Sequence, residues 1–531
     1  MACAVRWLIY MQARIAPQRH TARLSEIRSL KRSPASTLQL SPEEMRRLGY
    51  RTIDLIIDHL TTLPNRPVTE FSTPERLDAL LDDPLPEQGT DYDEVLDHLQ
   101  GEVLGAMSRT DHPRFFAFVP GPSNFVSAMA DTLASGFNVF AGAWTAGAGP
   151  AQIERLTIDW LAQLCGLPET AGGLFVNGGS EANLLALRVA RKVLLADDIA
   201  GAVVYASDQT HVCVTRALEI LGFSSGQLRV LPSDDDYRLS MGALREAVAA
   251  DRARGLRPFC VVANVGTTNT GAVDPLPDLA NFCRSEGLWL HADGAYGAGA
   301  VLCRQGKEIL AGLEAVDSLT LDPHKWLFQP YEIGCVLLRD RECLRDSFRI
   351  MPGPQRDNCM KDVRDGERET NFADFGIQVT RNFRALKLWM SLKVFGLAAF
   401  RDAVARGFEL AEYTERVLRC SPRWEVVTPA QLGVVTFRYR PEQDMSDEEL
   451  GRLNEKIAES LSRDGFARIS SARLRGRVVL RMRTTNPRTT EADIRETLQR
   501  LEMFARAPET ERGVCVLRAV HGTRVLTSFT P

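Results

Sequence analysis

Ser318-Leu319-Thr320-Leu321-Asp322-Pro323-His324-Lys325-Trp326 is the stretch on which the reading of the fold turns. Residues 318–321 suit a short buried strand, and an acid, a histidine and a lysine sit at its exit. A lysine between a histidine and a tryptophan at a strand exit is out of place on a surface. The pattern recurs upstream. Runs at 173–176, 202–206, 259–264 and 288–292 read as strands, helical stretches separate them, and polar residues follow each one. Such alternation marks a largely parallel sheet. In open sheets of this kind ligands bind beyond the carboxyl ends of the strands.

The first run leads into Asn177-Gly178-Gly179-Ser180-Glu181-Ala182 and a helix through Leu184, Leu187 and Ala190. Glycines and a serine opening a helix present free N–H groups to an anion, although alone they are as readily a simple turn. The second run exits into Ser207-Asp208-Gln209-Thr210-His211 and the third into Gly266-Thr267-Thr268-Asn269. The fourth exits through His291-Ala292-Asp293 into Gly294-Ala295-Tyr296-Gly297. Taken singly, His211 reads as a structural histidine and Asp293 as a cap. Together with Lys325 they match the needs of pyridoxal 5'-phosphate (PLP). That cofactor takes a lysine for a Schiff base, a carboxylate for its ring nitrogen, a flat group against the ring, and phosphate donors. Lys325, Asp293, His211 and the Gly179/Ser180 turn supply one of each. Such a site is expected to lower the lysine pKa.

The chain has 531 residues, 44% hydrophobic and 25% charged, with a formal net charge of −4. This is ordinary for a soluble globular protein and gives no electrostatic reason to expect nucleic acid or anionic membrane as partner. No apolar run approaches the length that spans a bilayer. The 11 cysteines include Cys165, Cys213, Cys260, Cys283 and Cys335, scattered singly without a C-x-x-C pair or a histidine cluster. They read as buried, reduced thiols of a cytoplasmic enzyme, with neither disulfide framework nor metal site. Residues 1–40 are set apart by Arg6, Arg14, Arg19, Arg23, Arg28, Lys31 and Arg32 against Glu26 alone. A disordered tail, translation from upstream of the true start, and an organelle-targeting peptide all fit them. Ser41-Pro42-Glu43-Glu44 reads as an N-cap with proline at the first helical position. The expected organisation is an N-terminal helical wrapping segment (41–125), a large PLP-binding domain (126–395), a small α+β domain with strands at 434–439 and 477–482 (396–505), and a tail (506–531).

Seven motifs carry a family resemblance. They are His112-Pro113-Arg114-Phe115-Phe116, residues 144–154, residues 177–183, Asp208-Gln209-Thr210-His211, Gly266-Thr267-Thr268, residues 291–297 and Asp322-Pro323-His324-Lys325-Trp326. In these the chain resembles the group II PLP-dependent decarboxylases, the family of aromatic-L-amino-acid, histidine and glutamate decarboxylases, from about residue 41 to 500. The resemblance implies a fold-type I homodimer: a central, mostly parallel sheet with helices on both faces, an N-terminal helical segment and a small C-terminal α+β domain. It makes Lys325 the Schiff-base lysine, Asp293 the partner of the ring nitrogen and Ala295 the small residue beneath the ring. His211 becomes the stacking imidazole with a part in proton handling, and Thr268 a neighbour of the ring hydroxyl. Gly179, Ser180 and His324 become neighbours of phosphate or cofactor. Phe118, Val119 and Pro120 would line the substrate pocket, and Phe140 and Gly142 would reach into the other subunit's site.

The chain departs from the family in two places. The family's mobile loop carries a tyrosine that protonates the carbanion, whereas Arg349-Ile350-Met351-Pro352-Gly353-Pro354-Gln355-Arg356-Asp357-Asn358-Cys359-Met360-Lys361 contains none. Val119 and Gly142 stand where the animal aromatic-amino-acid enzymes carry larger rings, which implies a wider pocket. The implied activity is decarboxylation of an L-amino acid, an aromatic one first, to amine and CO2. The missing tyrosine keeps open an aldehyde-forming oxidative variant. A transaminase or other lyase on the same fold and a catalytically silent scaffold are the competing readings.

Overall fold

The computed structural model describes residues 38–119, 121–349 and 369–506. Most of the basic start, Pro120, the loop at 350–368 and the tail beyond 506 lie outside them. The described chain forms two compact units, one of residues 38–61 with 91–93, the other of residues 62–90 and 94–506.

The first unit is built on the helix Pro42–Thr62. Its start is the cap read from sequence. The Ser41 hydroxyl accepts the Glu44 N–H at 3.2 Å and the Glu44 carboxylate accepts the Ser41 N–H at 3.0 Å, so two otherwise free donors are satisfied.

The second unit contains a seven-stranded sheet. Its strands are β1 (Gly172–Val176), β2 (Ala202–Ser207), β3 (Leu228–Leu231), β4 (Arg257–Asn264), β5 (Trp289–Asp293), β6 (Ser318–Leu321) and β7 (Gly334–Leu338), in the order β1-β7-β6-β5-β4-β2-β3. All run parallel except β7, which is antiparallel to both its neighbours. Every residue of β1, β2, β6 and β7 is buried, so both faces of the sheet are covered, as parallel sheets require. The covering helices include Gly179–Leu195, which buries Leu185, Ala186 and Val189.

A four-stranded antiparallel sheet follows, with β8 (Trp424–Gln431), β9 (Val434–Tyr439), β10 (Ser470–Leu474) and β11 (Arg477–Arg483) in the order β10-β11-β9-β8. Phe437, Leu480 and Met482 pack there with Leu461, Ile494 and Leu501 of two helices in a second apolar core. The helix Ala385–Arg419 is interrupted at Gly396, whose φ of 75° favours glycine.

The five strand runs of the large sheet and the two of the small one expected from sequence are all present, with ends shifted by a residue or two. Four strands, β3, β7, β8 and β10, were not expected. Three of them are sheet edges. An edge strand has one side toward solvent, and its apolar pattern is diluted by residues such as Arg229, Glu425 and Arg473. The cysteines at 165, 213, 260, 283 and 335 are buried and free, as expected. Among the described residues no helix is long and apolar enough to cross a membrane.

One buried ion pair ties the helix Trp144–Leu164 to β1. The Arg381 guanidinium donates to both Glu154 oxygens, at 2.6 and 3.1 Å, and to the Phe175 carbonyl at 2.7 Å. Glu154 in turn accepts the Phe175 N–H at 3.1 Å. Both side chains are at most 1% exposed. Replacing Glu154 by alanine strands the guanidinium in the core, and breaking a buried pair this way costs about 3–5 kcal/mol. Urea unfolding should show the corresponding loss of stability; a change below about 1 kcal/mol would show that the pair is not a structural tie.

Candidate active site

The carboxyl ends of β1, β2, β4, β5 and β6 lie on one edge of the sheet, and the segments that leave them enclose a cavity of about 540 Å³. Gly179, Ser180 and His211 line it, and so do Thr268, Asp293 and Ala295. His324 and Lys325 complete the set expected from sequence. Lys325 and Asp293 therefore face one space, as a single cofactor bridging them demands.

Lys325 sits in a one-turn helix, Pro323–Trp326, directly after β6. Its amine pairs with Asp322 Oδ2 at 2.9 Å. The Asp322 side chain is 1% exposed, and its Oδ1 has no hydrogen-bond partner among the described residues. His324 Nε2 lies 3.6 Å from the same carboxylate, while its Nδ1 accepts the Ile333 N–H at 3.3 Å. Burial pulls the Lys325 amine down, but the charges of Asp322 and then Asp293 outweigh it, and its pKa is raised from the ordinary lysine value. This corrects the expectation of a lowered pKa. The reason is Asp322, a neighbour three residues back whose contact with the lysine no periodicity announces.

Glycines shape the wall opposite. A Cβ on Gly179 would stand 2.9 Å from both the Ala295 Cβ and Asp322 Oδ2, and one on Gly334 would stand 2.8 Å from Asp322 Oδ1. Gly178 precedes the helix Gly179–Leu195 and offers no side-chain cap. The first-turn N–H groups thus open toward the cavity beside Ser180, with the positive end of the helix dipole behind them.

Asp293 ends β5 and is held by neutral donors. Oδ2 accepts from Asn183 Nδ2 at 3.1 Å and Oδ1 from the Ala295 N–H at 3.2 Å. His211 begins the helix Val212–Ile220, where its Nδ1 accepts the Cys213 N–H at 3.3 Å. That bond leaves Nε2 as the protonated nitrogen of the neutral ring. Partial burial lowers the His211 pKa, and Asp293 offsets part of the effect. The Thr268 carbonyl accepts from Arg481 at 2.7 Å and from Arg483 at 2.6 Å, which anchors the loop after β4 to the small sheet.

Phe118 and Val119 line the cavity mouth; Pro120 is outside the described residues. Phe118 adopts φ 49° and its N–H donates to Ser470 Oγ at 2.9 Å. Phe140 and Gly142 do not line this cavity. At Gly142 a Cβ would meet the Val379 carbonyl oxygen at 2.2 Å and the Phe140 ring at 2.9 Å, so close backbone passage, and not only pocket width, demands glycine there.

Sequence reasoning passed over Asp322, Asn183, Asn264 and Arg481, all of which line the cavity. Asp322 and Asn183 stand inside quoted motifs and could have been singled out as polar residues at a strand exit and in a glycine-led helix. Arg481 reaches the site from the second sheet and leaves no local signal.

The donor set fits PLP: an amine, a carboxylate able only to accept, an uncapped helix start, an imidazole, and glycines where a Cβ would close the space. Residues 74–440 match the model of the pyridoxal-dependent decarboxylase conserved domain. The chain belongs to the pyridoxal-dependent decarboxylase family. It is a PLP-dependent amino-acid decarboxylase. It is 50% identical over 471 residues to an aromatic-L-amino-acid decarboxylase of Bacillus atrophaeus, covering 89% of this chain and 97% of the relative. It is 30% identical to a phenylacetaldehyde synthase of Arabidopsis thaliana, over 86% of this chain and 95% of that one. Among solved structures, Oryza sativa TDC with PLP and tryptamine superposes with a TM-score of 0.83 at 30% identity, over 88% of this decarboxylase and 99% of that chain.

The Lys325–Asp322 pair makes a direct prediction for the decarboxylase. Asp322→Asn removes the main charge that raises the amine, while burial and Arg483 still lower it. In apoprotein, the pH profile for acetylation of Lys325 by acetic anhydride, read by peptide mass spectrometry, should move to lower pH. A profile that stays put or moves to higher pH would contradict the assignment of the shift to Asp322.

Proposed function

We propose that this decarboxylase acts on an aromatic L-amino acid and releases the amine and CO2. The observation that carries the substrate class is an apolar cavity mouth of Phe118 and Val119 beside the amine and carboxylate. The half-identical relative named for aromatic L-amino acids supports it. In this reading Lys325 holds the cofactor through its amine and Asp293 faces the ring nitrogen. The uncapped turn at Gly179 and Ser180, with His324, holds the phosphate. His211 and Ala295 bound the two ring faces, and Thr268 neighbours the ring hydroxyl. When bound, PLP supplies a protonated ring that withdraws the electron pair left at Cα as CO2 departs.

The chain's own residues do the rest. Both Asp293 oxygens already accept protein hydrogens, so any group facing them must bring its own proton. Lys325, raised in pKa, carries a proton at neutral pH whenever its amine is free. His211, lowered in pKa, is mainly neutral there and offers Nε2–H as a donor. These are the two side chains in the described cavity placed to return a proton to Cα. Phe118 and Val119 offer the substrate side chain an apolar surface at the cavity. We further propose a homodimer in which Phe140 and Gly142 serve the neighbouring site.

A second reading rests on the tyrosine-free sequence at 349–361 and on the phenylacetaldehyde synthase relatives. There, oxygen and water are consumed with the amino acid, and aldehyde, CO2, ammonia and hydrogen peroxide are formed. One experiment separates the two. The PLP-loaded enzyme is offered tryptophan, tyrosine, phenylalanine, DOPA and the non-aromatic amino acids, with amine, aldehyde and peroxide measured together. Aromatic amines without peroxide are expected. Stoichiometric peroxide would establish the second reading, and turnover confined to non-aromatic substrates would overturn the substrate class.

A further inference from the structure

Behind Asp293 lies a row of polar side chains that has no place in an apolar core unless it is used. His291 and Asp293 are alternate residues of β5, and their register partners on β6 are Ser318 and Thr320. Alternate strand residues share a face. The side chains of His291 and Thr320 converge on Asn183, one turn into the helix Gly179–Leu195, and Ser318 joins the row through His291. His291, Asn183 and Thr320 are 0% exposed and Ser318 is 1% exposed. An apolar cluster of the same volume would stabilise the sheet at least as well, so burial of this row points to a use beyond folding.

The hydrogen bonds have one direction. Asn183 Nδ2 faces the Asp293 carboxylate at 3.1 Å, which fixes the amide, so Asn183 Oδ1 must accept. It accepts from Thr320 Oγ1 at 2.9 Å and from His291 Nε2 at 2.6 Å. His291 Nδ1 is then the ring's acceptor, and it takes the Ser318 hydroxyl hydrogen at 2.8 Å. Ser318 Oγ accepts from Trp289 Nε1 at 2.8 Å. An indole N–H only donates, so the row cannot reverse. Burial lowers His291 to about 4, in keeping with a neutral ring. Asn183 Nδ2 also contacts Cys213 Sγ at 3.2 Å. Each hydrogen bond from Trp289 through Ser318, His291 and Asn183 therefore points at Asp293.

We propose that His291, acting through Asn183, is a positioning residue that holds the Asp293 side chain correctly aimed as the acceptor for the cofactor's ring nitrogen. This rests on the reading that Asp293 faces that nitrogen. A donor-only row ending on Oδ2, with the Ala295 N–H on Oδ1, fixes the rotation of the carboxylate about the side chain. Sequence places His291 two residues before Asp293, but only the fold brings Ser318 and Asn183 to its two ring nitrogens.

The test compares the affinity of full-length apoprotein for PLP with that for 1-deaza-PLP, in which CH replaces the ring nitrogen. Both are measured by equilibrium titration of absorbance and tryptophan fluorescence. Wild type should prefer PLP by on the order of tenfold or more, the range expected for a hydrogen bond to a charged group. His291→Leu should lower that preference toward parity while leaving the affinity for 1-deaza-PLP within about twofold. His291→Gln, whose amide can accept from Ser318 and donate to Asn183, should restore most of it. Should His291→Leu fold poorly, Ser318→Ala shortens the row with little change of volume and should lower the preference in the same direction. Equal loss of affinity for both ligands in these variants, or an unchanged preference, would overturn the proposal. Asp293→Ala tells the two levels apart. If it abolishes the preference while His291→Leu and Ser318→Ala keep it, the positioning role fails and the Asp293 reading stands. If wild type and Asp293→Ala show the same ratio, the Asp293 reading itself fails and the proposal with it.

Discussion

Two carboxylates at the ends of adjacent strands, with one amine between them, set the terms for everything around the cavity. Asp322, after β6, is almost wholly buried and takes Lys325 as its ion-pair partner. Asp293, at the end of β5, has only neutral donors from the protein. Taking two carboxylates out of water is costly, and a single lysine cannot neutralise both. Among the described residues Asp293 has no cation hydrogen-bonded to it, although Arg481 lines the same cavity and Arg483 is near enough to act on Lys325. In the proposed reading a protonated heterocycle would give Asp293 a charged partner, and the helix start at Gly179 would hold its phosphate. The glycines follow from the same constraint. Gly179 and Gly334 press against Asp322, and any side chain there would push the carboxylate out of reach of Lys325.

This balance also explains why the amine is not poised as a lone buried lysine would be. Desolvation favours the neutral form, but an ion pair at 2.9 Å favours the charged one, and here the pair prevails. The low amine pKa that such chemistry calls for is thus not set by the protein's own side chains. Neutralising Asp293 or Asp322 by a ligand's positive charge or hydrogen bonds is the route by which the protein would release the lysine from its protonated state.

Much of the fold was legible because buried parallel strands are short apolar runs and helices announce themselves by caps, as Ser41 and Glu44 do. What escaped was written on edges and across distance. β3, with Arg229 spending its charge on Asp251 at 2.9 Å, does not look like a strand in one dimension. The expected residues from Gly179 to Lys325 line one cavity because they follow the strands of one sheet edge, a position that sequence marks well. Asn183 and Arg481 escaped because their meaning depends on which strands become neighbours. Gly142 shows the limit of reading a small residue as space: the Val379 carbonyl fills the room that a missing ring seemed to leave.

In the proposed function Lys325, and no other amine, carries the cofactor. Reducing the PLP-loaded enzyme with borohydride, digesting it and mapping the phosphopyridoxyl group by mass spectrometry tests that role directly. One modified peptide is expected, containing Lys325. A label on another lysine, such as the buried Lys387 that pairs with Asp131, would contradict it.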